Sequence, residues 1–360
     1  MNKYFSVYLD ALRFFSAAFV VFFHIKGSQL ISPELGRLIP DNGHDFVMVF
    51  FVLSGYLIAY SVDRKKAAGY KEYFLDRSSR IYSVAIPVLF LCWVLSLFHG
   101  NLDPAGDFST AFERPFLTFI SNVLFLSHAW DSVYLLFWNS PYWSLSYEVV
   151  YYALFGVFVF LRSPSRWVIL VLLALAIGPK VLLLLPCWLA GVLAYHYRDA
   201  WRPSRSSALF LGFLAPPLVL VLLHFLHFGT WTREFLSSTL GDHYSSLVWS
   251  KNFLIDYVTA TLVAFNLFAV RHLDLHFLEG VSVFVKRGAD ISYSLYLAHM
   301  PVLYALVFFF GEQRQTVGVF LVTLISTFGF CWGVAQVTEA KRIWLRALLA
   351  RLIGVPARVR

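Results

Sequence analysis

The sequence predicts an all-α fold, a polytopic bundle of about ten transmembrane helices with both termini in the cytoplasm. Three observations predict it. Hydrophobic residues make up 59% of the 360-residue chain and charged residues 14%, with a mean hydropathy of +0.67, whereas soluble domains are roughly 45–50% apolar. Apolar runs long enough to cross about 30 Å of hydrocarbon recur along the chain. Lys and Arg are distributed unevenly between the loops that join these runs.

Nine apolar runs are candidate spans on their own. They cover residues 4–24, 45–60, 81–98, 142–161, 181–197, 208–228, 253–270, 290–310 and 317–337. The run 167–179 is shorter and ends at Pro179-Lys180, so we interpret it as a tilted or broken tenth span. The run 116–127 is also short, and we interpret it as a re-entrant or interfacial segment.

The basic residues predict the orientation, because basic loops stay on the cytoplasmic side. With the N terminus inside and ten spans, 22 of the 29 Lys and Arg residues lie at or facing the cytoplasm. An eleventh crossing at 116–127 would destroy this asymmetry. Positive-inside topology also accounts for the net charge of +8, so no nucleic-acid partner is expected. The cysteines share no metal-ligand spacing, and neither a disulfide nor a metal site is predicted.

The first span carries ionisable side chains on one face. Eleven helical steps separate Arg13 from His24, so both point the same way, about 16 Å apart along the axis. Asp10 lies three residues before Arg13 and can neutralise it. Ionisable groups at membrane depth usually face a bundle interior or a wet cavity, which favours a functional role. The alternative is a structural Asp10–Arg13 pair with His24 as an interfacial histidine.

Two carboxylates are predicted at a depth similar to that of His24. Asp45 stands at the outer start of the second span, and Glu148 lies in WSLSYEVVYY near the outer start of the span 142–161. A carboxylate beside an imidazole fixes its tautomer and stabilises the imidazolium, as proton abstraction from a hydroxyl requires. The alternative for Glu148 is a capping or interfacial acid.

Two further elements carry polar side chains at helical spacing. In DRSSRIYS, Arg77 and Arg80 share one helix face and could bind a phosphate by bidentate hydrogen bonds. The alternative is that the two arginines only keep this loop on the cytoplasmic side, as the positive-inside rule describes, and lie beside lipid headgroups. In ISYSLYLAHMP, Ser292, Tyr296 and His299 share a face, although the pattern alone favours a packing role for His299.

Five separated elements, in this order, resemble the acyltransferase-3 family of bacterial membrane proteins that O-acylate surface glycans. They are LDALRFFSAAFVVFFH, VFFVLSGYLI, RSSRIY, WSLSYEVVYY and ISYSLYLAH. The resemblance runs from about residue 4 to 337. It implies an acyltransferase-3 membrane domain over 1–340 in the bacterial inner membrane, and the remaining residues, 341–360, read as a basic amphipathic cytoplasmic tail.

The resemblance implies transfer of an acyl group, commonly acetyl, from cytoplasmic acyl-CoA to a hydroxyl of a glycan or lipid-linked sugar. Acyl-CoA would be a donor substrate, and no tightly bound cofactor is expected. The expected catalytic residues are His24, Glu148, Arg13 and Asp45; Arg77, Arg80 and Arg13 would bind the donor; Trp143, Tyr151, Tyr296 and His299 would bind substrate. One position departs from the family, because many members carry an acid where Met48 stands, and Asp45 would replace it.

Two other classes of protein fit the same composition. A transporter or flippase of a lipid-linked glycan would also line its spans with polar residues, but neither an inverted repeat nor paired broken spans are found. A scaffold or sensor would leave Arg13, His24 and Glu148 without a role.

Overall fold

The structure, a computed structural model, describes residues 2–64, 69–97 and 113–355, and these residues contain α-helices but no β-strand. The α-helices are α1 (Lys3–Gly27), α2 (Pro33–Gly36), α3 (Gly43–Arg64), α4 (Gly69–Ser96), α5 (Pro115–Val123), α6 (Tyr142–Phe160), α7 (Ser165–Ile177), α8 (Pro179–Leu183), α9 (Leu185–His196), α10 (Arg205–Leu209), α11 (Ala215–Phe225), α12 (Phe228–Leu240), α13 (His243–Ser246), α14 (Phe253–Val270), α15 (Ser282–Phe310), α16 (Val317–Val337) and α17 (Arg342–Leu352). A π-helical turn, Phe210–Leu214, joins α10 to α11.

The predicted all-α membrane bundle is confirmed. Within the described ranges, nine helices are long and apolar enough to cross a membrane. The predicted tenth span is the shorter apolar helix α7, of 13 residues. The run predicted to be re-entrant or interfacial forms the nine-residue helix α5, which is about 14 Å long and cannot cross a bilayer. The chain is therefore a multi-pass membrane protein.

The two ends of the bundle are held by different polar pairs. At one end lie Lys3–Glu279, Arg198–Asp63, Arg271–Asp199 and an Arg346–Asp76 pair. At the other lie Lys26–Asp41, His44–Asp256 and Arg314–Gln29. All the side chains of the first group belong to helix ends or loops that the basic residues assign to the cytoplasm. The pairs thus agree with an alternating path of ten crossings, and the side that faces the cytoplasm stays a prediction.

Glycines set the closest helix contact. A Cβ on Gly55 of α3 would lie 2.0 Å from the Trp188 carbonyl oxygen of α9, and a Cβ on Gly191 would lie 1.9 Å from the Val52 carbonyl oxygen. Only glycine fits at either position, and small residues let transmembrane backbones approach in this way. The contact fixes α3 against α9, and therefore fixes the side chains that α3 presents on its other faces.

The loop 124–141 packs under the end of α7. Gly178 ends this helix with φ +88°, and the indole of Trp130 lies against it. Trp130 donates from its backbone N–H to the Ile177 carbonyl at 2.9 Å and from Nε1 to the Leu175 carbonyl at 2.7 Å. Two carbonyls at the end of a short apolar helix therefore have partners, as burial in a membrane requires.

The described part of the predicted tail forms α17 and packs against α4. Arg346 donates to Asp76 at 2.7 Å and also to Glu72, so one arginine holds two carboxylates of α4. Residues 356–360 lie outside the described residues. The division into a domain over 1–340 and a tail stays a prediction.

Candidate functional site

A cavity of about 840 Å³ lies between α1, α3, α4, α6 and α15. Its lining includes Arg13, Arg77, Arg80, Glu148, Tyr152 and Tyr296. Five of the predicted site residues thus share one cavity, although they come from four separate helices.

Arg13 is held in place by α1 and α15 together. It forms an ion pair with Asp10 at 3.3 Å, as the spacing predicts, and it donates to the Ala289 carbonyl at 3.0 Å. The neighbouring Gly288 makes room for the ring of Phe14, because a Cβ there would lie 2.6 Å from that ring. This close approach of α15 to α1 lets a backbone carbonyl reach the guanidinium.

Arg77 and Arg80 lie on the same cavity wall and form no ion pair with a carboxylate of the described residues. The acids on their own helix, Glu72 and Asp76, are engaged by Arg346. The two guanidiniums therefore keep donors available for an anion. Arginine pairs of this kind suit phosphate, which accepts two parallel hydrogen bonds from one guanidinium.

Glu148 is the end of a one-way chain of hydrogen bonds. Tyr152 donates its hydroxyl proton to Glu148 Oε1 at 2.5 Å. The Ser54 hydroxyl, 2.9 Å away, must therefore donate to the Tyr152 oxygen. Trp188 Nε1 in turn donates to Ser54 Oγ at 3.0 Å. Glu148 thus faces the arginine cavity and is bonded to Tyr152, whereas the sequence analysis expected it beside His24. Depth along α6 was predictable, but the facing direction depends on how α6 packs.

His24 lies against another imidazole. Its ring centroid is 5.2 Å from that of His299. His299 is fully buried, and its Nδ1 donates to the Leu295 carbonyl at 3.0 Å. That bond leaves Nε2 as an acceptor, and Nε2 is buried without a partner among the described residues. The carboxylate predicted beside His24 is not found in the described part of the chain; the ring that lies beside His24 is that of His299, and the described residues form no hydrogen bond between the two imidazoles.

Tyr296 connects the arginine cavity to this histidine pair. It lines the cavity, its hydroxyl lies 2.6 Å from Ser144 Oγ, and its ring centroid is 6.3 Å from that of His299. The predicted face of Ser292, Tyr296 and His299 on α15 therefore runs from the cavity wall to His24.

Asp45 lies in a separate group in the first turn of α3, outside the cavity that contains the arginines. The pair that forms there is His44 with Asp256, at 3.2 Å, and Asp45 is half-buried beside them. Sequence reasoning missed Asp256. The available signal was a single acid inside the apolar helix FLIDYVTATLVAFNLFAV, since ionisable residues within spans are functional candidates.

The two remaining predicted substrate contacts are both buried. Trp143, 4% exposed, stacks between His44 and Trp249, with ring centroids 5.6 and 5.3 Å away. Tyr151 is fully buried and donates to the Val181 carbonyl at 2.6 Å. Neither residue lines the arginine cavity.

The fold and the cavity define a class: a polytopic membrane protein with an interior cavity lined by three arginines. Residues 6–336 match the family model Acyl_transf_3, described as an acyltransferase domain. The chain therefore belongs to the acyltransferase-3 family, and it is a membrane acyltransferase. No curated protein and no solved structure matches it.

Proposed function

We propose that this protein transfers an acyl group, commonly acetyl, from cytoplasmic acyl-CoA to a hydroxyl of a cell-surface or lipid-linked glycan, in a bacterial inner membrane. The observation that carries the proposal is the cavity in which Arg13, Arg77 and Arg80 meet, and from which Tyr296 leads to His299 and His24. Cations at one end and an imidazole beyond it suit a ligand that is anionic at one end and reactive at the other.

Arg77 and Arg80 would bind phosphates of the donor, because both lack ion-pair partners among the described carboxylates. The pantetheine arm is long and thin, so the thioester would extend into the cavity past Arg13. Glu148 would contribute a fixed negative charge that keeps the guanidiniums oriented, since Tyr152 holds its carboxylate in place.

His24 would act as the general base. An N–H of His24 would donate to the free Nε2 of His299, which leaves the other ring nitrogen to accept the proton of the acceptor hydroxyl. The hydroxyl oxygen then attacks the thioester carbonyl, the carbon–sulfur bond breaks, and the CoA thiolate takes the proton from the His24 imidazolium. The products are an acyl ester and CoA thiol, so protons and electrons balance.

The test is acylation of surface glycans in gene-deleted cells that express the wild type or His24→Ala. Mass spectrometry should find acyl groups with the wild type and none with His24→Ala at equal membrane level, because the variant loses a base and little packing. His243→Ala, at an exposed position on α13, is the matched control and should acylate normally. Normal acylation by His24→Ala would remove His24 from the mechanism.

A further inference from the structure

A second imidazole carries the carboxylate partner that the sequence analysis expected at His24. His44, in the first turn of α3, places Nε2 3.2 Å from Asp256 Oδ2. The Asp256 side chain is fully buried, whereas the His44 side chain is 25% exposed. The pair thus has a buried acid and an imidazole that reaches the surface at the end of the bundle predicted to face outward.

The hydrogen bonds leave one nitrogen of His44 available. When Nε2–H donates to the carboxylate, Nδ1 keeps its lone pair and can accept a hydrogen bond from a hydroxyl. Asp256 Oδ1 is buried and has no partner within the described residues. A buried carboxylate with half of its acceptors unused is costly, which indicates that another group completes the pair.

Aromatic rings provide a surface next to this pair. His44, Trp143 and Trp249 form a nearly parallel stack, with interplanar angles of 11° and 6°. Trp249 is half-buried, and its Nε1 has no partner among the described residues. Indole faces pack on the C–H faces of sugar rings, while the free nitrogen of the His44 imidazole suits a sugar hydroxyl.

The stack of His44, Trp143 and Trp249 lies at the same end of the bundle as His24, the proposed general base. Gly43, which precedes His44, packs on the ring of Phe23, because a Cβ at Gly43 would lie 2.4 Å from that ring. Phe23 precedes His24 in the chain. The contact between α1 and the start of α3 therefore brings the backbones that carry His24 and His44 together at the same end of the bundle.

We propose that His44, Asp256 and Trp249 form a binding site for the sugar of the acceptor, in which His44 Nδ1 accepts a hydrogen bond from a sugar hydroxyl. This inference rests on the proposed function for the identity of its ligand. Asp256 is a positioning residue, since it acts through His44, and Trp143 holds the stack together because it lies between His44 and Trp249.

The experiment measures binding and kinetics separately. The probe is the de-O-acylated surface polysaccharide of the source cells, and its equilibrium binding to the full-length protein is measured without donor. His44→Phe keeps a ring on Trp143 but removes the acceptor nitrogen, so binding should weaken about tenfold, the loss of one hydrogen bond. Asp256→Asn should weaken it less. Trp231→Ala, an exposed tryptophan of α12, is the control and should bind like the wild type.

Transfer kinetics distinguish a binding role of His44 from a purely structural one, because a structural role would leave the KM for the polysaccharide unchanged. In His44→Phe the KM for the polysaccharide should rise about tenfold, while the KM for acetyl-CoA and the melting temperature stay near wild type. Equal binding of the probe by wild type and His44→Phe, or no binding by the wild type, would overturn the inference. Binding by the wild type without any transfer would overturn the proposed function and leave the sugar site standing.

Discussion

Arg77 and Arg80 differ from Arg13 and Arg346 in what neutralises them. Arg13 forms an ion pair with Asp10 and Arg346 with two acids of α4, whereas Arg77 and Arg80 form no direct ion pair with a described carboxylate. Unpaired guanidiniums inside a membrane protein are expensive unless a ligand supplies the negative charge. At the scale of single residues, this contrast makes Arg77 and Arg80 the first candidates for binding an anionic ligand.

Arg80→Ala should raise the KM for acetyl-CoA more than that for the acceptor. A hydrogen bond to a charged phosphate contributes about 1.5–3 kcal/mol, which corresponds to roughly 10- to 150-fold in affinity. Arg80→Lys should restore only part of it, because an ammonium lacks the planar fork. Steady-state kinetics with each substrate varied in turn measure this, with the exposed Arg233→Ala as control. An unchanged donor KM in Arg80→Ala would return this arginine to a topological role.

His299 should matter through the acceptor nitrogen that it offers to His24. His299→Leu removes Nε2 and should lower kcat by orders of magnitude with little change in either KM, whereas His299→Gln keeps an acceptor oxygen near that position and should retain part of the activity. Single-turnover transfer assays compare the two variants at matched stability. Equal activity of the Leu and Gln variants would show that His299 only packs.

The residues that sequence reasoning placed correctly are those whose relation lies within one helix. Helical spacing predicts both the Arg13–Asp10 pair and the shared face of Arg77 and Arg80. In the structure Arg13 and Asp10 form an ion pair, and Arg77 and Arg80 line the same cavity wall. The partner of His24 lies 275 residues later, at His299. Such a pairing depends on which faces of distant helices meet, and a single sequence carries no signal for it.

At the scale of elements, glycine decides how close α3 and α9 approach. Gly191→Ala should destabilise the protein, because the added methyl would meet the Val52 carbonyl oxygen at 1.9 Å and force the helices apart. Thermal unfolding in detergent measures the effect. Gly333→Ala in α16 is the control, since a Cβ there meets nothing within 4 Å, and it should be neutral or slightly stabilising. Equal melting temperatures would mean that the contact tolerates a wider separation.

Helix α4 is longer than the apolar run that marks it in the sequence. The run starts at 81, whereas the helix starts at Gly69. Hydropathy detects only the part of a helix that faces lipid or core. The turns before residue 81 are polar because they carry Arg77, Arg80 and the acids held by Arg346, so the apolar run omits the part of the helix that places two arginines on the cavity wall.

At the scale of the whole molecule, ten crossings place loops on alternating sides. A cysteine introduced at Gly241 should react with an impermeant maleimide in intact cells, and one at Ser204 should react only after permeabilisation. The three native cysteines are buried and should give little background. If α7 does not cross, both positions would change sides relative to a cysteine at Glu34.

The short helix α7 also has a consequence for the lipid around the protein. Its 13 residues span about 20 Å, and Trp167, Val171 and Leu172 are exposed along it, yet a bilayer core is about 30 Å thick. A span shorter than the hydrocarbon core is accommodated by thinning of the bilayer, by snorkelling of flanking side chains or by association of helices. By the predicted topology α7 ends toward the outer leaflet, so thinning there would lower the headgroups toward the plane of His24. A sugar attached to a lipid would then reach the site by lateral diffusion, without having to leave the membrane surface.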